Sequence, residues 1–138
     1  MRLRLGRPDL GRYHELFDLP VADSGSPLTL TWLGVSTLLV DDGNCAVLTD
    51  GFFSRPGLPQ VALGKLSPST ARIDATLTRA GIERLAAVLP VHTHYDHALD
   101  TAVVAQRTGA VVVGGESAAN IARGQGLPED RIVVATPG

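Results

Sequence analysis

The sequence is poor in the residues that would tie a protein to a disulfide framework, a membrane or a nucleic acid. Cys45 is the one cysteine among 138 residues, so no intrachain disulfide can form, and the chain reads as made for a reducing, cytoplasmic compartment. Its neighbours Ala46, Val47 and Leu48 make Cys45 an expected small core residue. No apolar run approaches the roughly 20 residues of a membrane-spanning helix. Arg2, Arg4 and Arg7 are followed by Pro8, Asp9 and Arg12, where a secretion signal needs unbroken apolar residues, so none is expected. Positive charge is scarce as well. With 12 Lys+Arg against 14 Asp+Glu, the formal net charge is -2, which leaves no broad basic field for nucleic acid.

With 44% hydrophobic and 19% charged residues, the composition fits one globular domain. Residues 1–27 are broken by Pro8, Pro20, Gly6, Gly11 and Gly25 and read as a leader packing onto the domain, anchored by Tyr13, His14 and Phe17. His14 has no ligand-type neighbour at metal spacing and reads as a surface or packing residue. The domain proper is residues 28–138. Its first part holds three β-rich runs, 28–33, 36–40 and 45–49, the last two joined as a hairpin across Asp41-Asp42-Gly43-Asn44. Residues 51–68, dense in glycine and proline, read as a long loop of functional or lid-like character. Ser69 or Thr70 caps a helix through Ile73, Leu77 and Ala80, which Gly81 stops, and a shorter helical turn is expected at 82–84. Residues 85–89 are a continuous apolar run, the mark of a strand buried on both faces. Helical spacing then runs from Ala98 to Gly109. A strand at 110–113, a helix near 117–123 and a strand at 131–135 follow. The fold class is α/β: a β-meander followed by β-α-β-α-β.

Three of the four histidines fall within six residues, and with Asp96 they spell H-x-H-x-D-H at His92, His94, Asp96 and His97. A shuffled chain of this composition shows that pattern on the order of a few times in ten thousand. Three imidazoles and a carboxylate crowded at a strand end need partners if they bind nothing, which argues for a metal. His92 and His94, two apart in extended backbone, share a side and can hold one ion. Asp96 and His97, displaced along the chain, suit a neighbouring second ion. Coordination lowers the pKa of water to about 7 and so gives a nucleophile at neutral pH, which points to hydrolysis. Asp100 reads either as a helix N-terminal carboxylate or as a carboxylate supporting the ligands from outside.

H-x-H-x-D-H at the end of a buried strand, after a meander closing in Leu48-Thr49-Asp50, resembles the metallo-β-lactamase superfamily. The resemblance runs from about Leu28 onward and implies the N-terminal half of an αβ/βα sandwich. It implies that His92 and His94 bind one metal and Asp96 and His97 the other, and that Asp96 also orients the attacking hydroxide. It implies that Asp50 supports the metal loop without being a ligand. Zinc is the default ion, two per complete site, with iron and manganese also suited to imidazole and carboxylate ligands. Residues 31–40, with Leu48 to Ser54, are similar to the branch containing ascorbate-phosphate lactonases and N-acyl-phosphatidylethanolamine phospholipase D. That branch often has histidine where Val35 stands and proline where Gly51 stands. The implied activity is hydrolysis of an ester, lactone or phosphodiester in a small-molecule substrate.

The family completes its site with a further histidine, a bridging aspartate and a final histidine, whereas no histidine follows His97 in this chain. Asp100 is too local to replace them, and Glu116, Glu129 and Asp130 fall in turns or helix ends. The chain is therefore expected to be a truncated half, incomplete as an enzyme. A half sandwich exposes a sheet face and an edge, which invites a homo-oligomer or the missing C-terminal half. The alternative is a non-catalytic metal-binding or interaction module derived from that fold. A nucleotide-binding or serine-hydrolase domain fails on its motifs, since Gly124-Gln125-Gly126 lacks a third glycine and Ser36 and Ser117 lack a G-x-S-x-G frame.

Overall fold

The computed structural model describes residues 10–16 and 27–136. Within the expected leader, Leu10–Leu16 forms a 3-10 helix. Residues 1–9 and 17–26, Phe17 included, and the Tyr13 side chain lie outside the described residues.

Six strands form one sheet in chain order: β1 (Thr29–Gly34), β2 (Thr37–Asp41), β3 (Ala46–Thr49), β4 (Ala87–Leu89), β5 (Val111–Gly114) and β6 (Ile132–Val134). The first two pairings are antiparallel and the last three parallel. The change has a local cause. A short turn can reverse the chain between β2 and β3, whereas each parallel return needs a crossover, here helical. Between β3 and β4 lie α1 (Leu58–Leu63) and α2 (Thr70–Arg79), between β4 and β5 lie α3 (Tyr95–Ala98) and α4 (Thr101–Thr108), and α5 (Glu116–Gly124) joins β5 to β6. This is the expected meander followed by β-α-β-α-β.

The β2–β3 turn is closed by Asp42, whose Oδ1 accepts the backbone N–H groups of Cys45 (2.7 Å) and Asn44 (2.9 Å). Those bonds, that from Cys45 foremost, hold the Asp42 carboxyl below its ordinary range. Cys45 thus belongs to the turn and is exposed, not the core residue that its apolar neighbours suggested. Inward alternation begins only with Ala46.

Strand alternation sends Leu39, Leu48, Val88 and Val112 to one face of the sheet, where Ile73 and Leu77 of α2, Ala102, Val104 and Ala105 of α4 and Ala122 of α5 cover them. The small residues of α4 and α5 let these helices sit close against the strands. Two expectations fail. Residues 82–84 are not helical: Ile82 donates to Leu77 O (2.9 Å) across Gly81 at φ 66, and its buried side chain closes the end of α2 as a hydrophobic cap. Residues 51–68 are not one open loop either, because Gly51–Ser54 is buried and α1 occupies Leu58–Leu63. Among the described residues no helix is long and apolar enough to cross a membrane.

Candidate metal centre

Parallel pairing of β3 with β4 aligns Thr49 with Leu89, so the loops carrying Asp50 and His92–His97 leave the sheet side by side. Asp50 extends the ladder by one bond, its N–H donating to Leu89 O (3.1 Å), then turns out of the strand at φ 53. Its carboxylate is fully buried. A lone charge there would cost several kcal/mol, so each oxygen must be occupied. Oδ1 accepts the Val91 N–H (2.7 Å), while Oδ2 accepts the Ser36 hydroxyl and meets His97 Nδ1 at 2.8 Å. An ionised carboxylate only accepts, so in the neutral ring this contact places the proton on Nδ1 and leaves the Nε2 lone pair of His97 free. That Nε2 lies 3.7 Å from Asp96 Oδ2.

The motif residues lie beyond the end of β4, with His94 in extended backbone at φ -65 and ψ 156. His92 lies in a bend, and His94 is the N-cap of α3, its carbonyl accepting the N–H groups of His97 (3.0 Å) and Ala98 (2.9 Å). The single turn of α3 then carries Asp96 and His97. The His92 ring is 3.8 Å from that of His97 and 4.7 Å from that of His94, centroid to centroid. His92, Asp96 and His97 each offer a ligand atom within 4.8 Å of the others. Ligands on a tetrahedral zinc stand about 3.4 Å apart, so small rotations of these side chains close the set around one ion. The donors, two imidazole nitrogens and a carboxylate oxygen, fit such an ion chemically. His94 stands beside His92 but outside this group.

Asp100 lies at the N-cap position of α4 yet makes no side-chain cap. Its buried carboxylate instead accepts the N–H groups of Phe53 (2.7 Å) and Ser54 (2.6 Å) and the Ser54 hydroxyl (2.6 Å). Burial outweighs these bonds and holds its carboxyl above the ordinary range. Asp100 therefore ties the motif turn to the segment following Asp50, behind the histidines. Thr101 adds a bond from its hydroxyl to Asp50 O (3.1 Å).

Sequence reasoning missed Ser36, whose hydroxyl lies 3.1 Å from His97 Nδ1 as well as on Asp50. Its only signal was adjacency to Val35, a position already marked as a departure. Gly51, the other departure, has φ 80 and donates its N–H to Thr49 O (2.6 Å). Proline can satisfy neither condition, so the backbone here is committed to glycine.

The family model described as the metallo-beta-lactamase superfamily matches residues 30–135. The chain belongs to the metallo-beta-lactamase superfamily. It is 33% identical over 86 residues to a UPF0173 metal-dependent hydrolase of Agrobacterium fabrum, covering 62% of this chain and 31% of that protein. A UPF0173 metal-dependent hydrolase of Rhizobium leguminosarum is 30% identical over 111 residues, covering 80% of this chain and 41% of its own length. One from Myxococcus xanthus is 28% identical over 120 residues, covering 86% and 36%. The chain thus spans less than half the length of these superfamily relatives. A solved metallo hydrolase from Ignicoccus hospitalis superposes with a TM-score of 0.48 at 19% identity, covering 80% of this chain and 40% of its own.

Proposed function

We propose that this chain is the metal-holding half of a metal-dependent hydrolase acting on an ester, lactone or phosphodiester bond of a small molecule. The observation that carries the reading is the set His92, Asp96 and His97 at a strand end, with His97 Nδ1 held by Asp50 and Nε2 turned toward Asp96. His92, Asp96 and His97 hold the ion, and His94 joins from beside His92. Zinc is the default by donor type, with two ions in the complete site and iron or manganese as alternatives. When bound, the ion supplies an activated water at neutral pH and polarises the oxygen under attack. Asp96, besides holding the ion, would orient that water. Asp50 keeps the His97 ring in one tautomer and one orientation, and Asp100 holds the adjoining segment so that Asp50 stays in place.

The remaining ligands belong to a second α/β layer that covers the face of the sheet away from the helices. The length of the relatives and the apolar character of that face support this placement. A cytoplasmic setting fits the exposed, unpaired Cys45.

Elemental mass spectrometry of the untagged chain after gel filtration tests the metal reading. At least one ion per chain is expected, reduced to a trace in Asp96→Ala and His92→Ala. A metal-free wild-type chain that is folded would sink it. The elution volume reports at the same time whether a second copy occupies the bare face in place of the second layer.

A further inference from the structure

We propose that Ser36 is a positioning residue of this site: its hydroxyl fixes the Asp50 carboxylate, which fixes the His97 imidazole. The proposal rests on the reading of His97 as a ligand.

Ser36 comes from the β1–β2 hairpin and reaches across 61 positions of sequence to His97. The hairpin is held in a shape that aims it. Val35 adopts φ 54, a left-handed conformation that a β-branched residue rarely takes. Two bonds keep the turn there: Trp32 Nε1 donates to Val35 O (2.9 Å), and the Arg55 guanidinium donates to Leu33 O (2.6 Å). Gly34 makes room for that guanidinium, since a Cβ at this position would lie 2.3 Å from it. The backbone of Ser36 is anchored as well, its carbonyl accepting the Thr49 hydroxyl (2.7 Å). Strain that surrounding bonds over-determine is found where a structure places a side chain for a purpose.

Asp50 Oδ2 receives Ser36 O–H and His97 Nδ1–H, while Oδ1 receives Val91 N–H. Oδ2 is thereby pinned between the hairpin and the imidazole, and the carboxylate cannot rotate away from His97. The hydroxyl faces Nδ1, whereas Asp96 faces Nε2. Ser36 thus stands behind the imidazole and is not a nucleophile.

The test compares wild type, Ser36→Ala and Ser36→Thr in two measurements. Titration with Co2+ alone, followed by its visible absorption, is expected to show about tenfold weaker binding and an altered band in Ser36→Ala, the size typical of losing a partner behind a ligand. Ser36→Thr, which keeps the hydroxyl, restores both. Imidazole nitrogen shifts of the metal-free proteins are expected to show His97 protonated at Nδ1 in wild type and Ser36→Thr, and at both nitrogens in exchange in Ser36→Ala. Unchanged affinity and tautomer in Ser36→Ala overturn the proposal. So does a loss that tracks a lowered melting temperature and is not restored by threonine. If wild type takes up no Co2+, the hydrolase reading fails while the tautomer result still decides the role of Ser36.

Discussion

The two faces of the sheet carry nearly the same chemistry and opposite fates. On the helix side, Thr37, Leu39, Leu48, Val88 and Val112 are each at most 8% exposed. On the other side, the register lines up Leu30, Val40, Val47, Ala87 and Val111 as one row and places Trp32 beside Leu38, Thr49 beside Leu89 and Val113 beside Val133 as a second. None of these residues is buried, and Leu30 and Trp32 remain 66% and 60% exposed. A sheet meant to face water on one side alternates apolar with polar residues, whereas one covered on both sides is apolar throughout. The strands of this chain are written for two coverings, and the described residues supply one.

A charge placed on either face tests that difference, and the largest effect belongs to the covered side. Val88→Asp buries a carboxylate with no partner and is expected to cost more than about 4 kcal/mol, which leaves the chain largely unfolded by circular dichroism. Val47→Asp, on the bare side one strand away, is expected to cost less than about 1 kcal/mol in urea denaturation. Equal costs would mean that the second face is covered after all.

An intermediate effect is expected at Asp100, between the sheet and the motif. Asp100→Asn sets an amide N–H donor where an oxygen accepts from the buried donors of Phe53 and Ser54 and is expected to cost about 2 to 3 kcal/mol. Its pH dependence has a definite sign. Because the folded-state pKa of Asp100 lies above the ordinary 3.8, the native state binds more protons in that window and this group's contribution falls as pH rises through it. The advantage of wild type over Asp100→Asn should therefore widen as pH drops toward 4. Urea midpoints for the pair at pH 4, 5.5 and 7 check this, and a gap that narrows on acidification would refute the assignment. The smallest effect belongs to the rim of the bare face. Leu30→Lys should leave stability within about 0.5 kcal/mol while reducing binding of a hydrophobic dye.

Most of the fold was legible because its signals are local. Alternation in 36–40, the apolar run at 85–89, the stop at Gly81 and the spacing from Ala98 to Gly109 each depend on neighbours within one element. The readings that failed needed contacts from elsewhere. Cys45 looked internal until Asp42 claimed its N–H, and residues 82–84 looked helical until Ile82 capped α2. The site divides in the same way. His92, His94, Asp96 and His97 are visible as a motif and Asp50 as a strand-end aspartate, while Ser36 lies 61 positions from His97 and carries no signature.

By itself, then, the sequence determined the element order, the apolar strands and the ligand-bearing segment, because periodicity and donor chemistry are written in consecutive residues. Only the tertiary structure decided which histidines gather with Asp96, which atom of His97 is left free and which face of the sheet is covered. Those depend on register between strands and on hydrogen bonds closed across loops, and no stretch of the chain contains both partners.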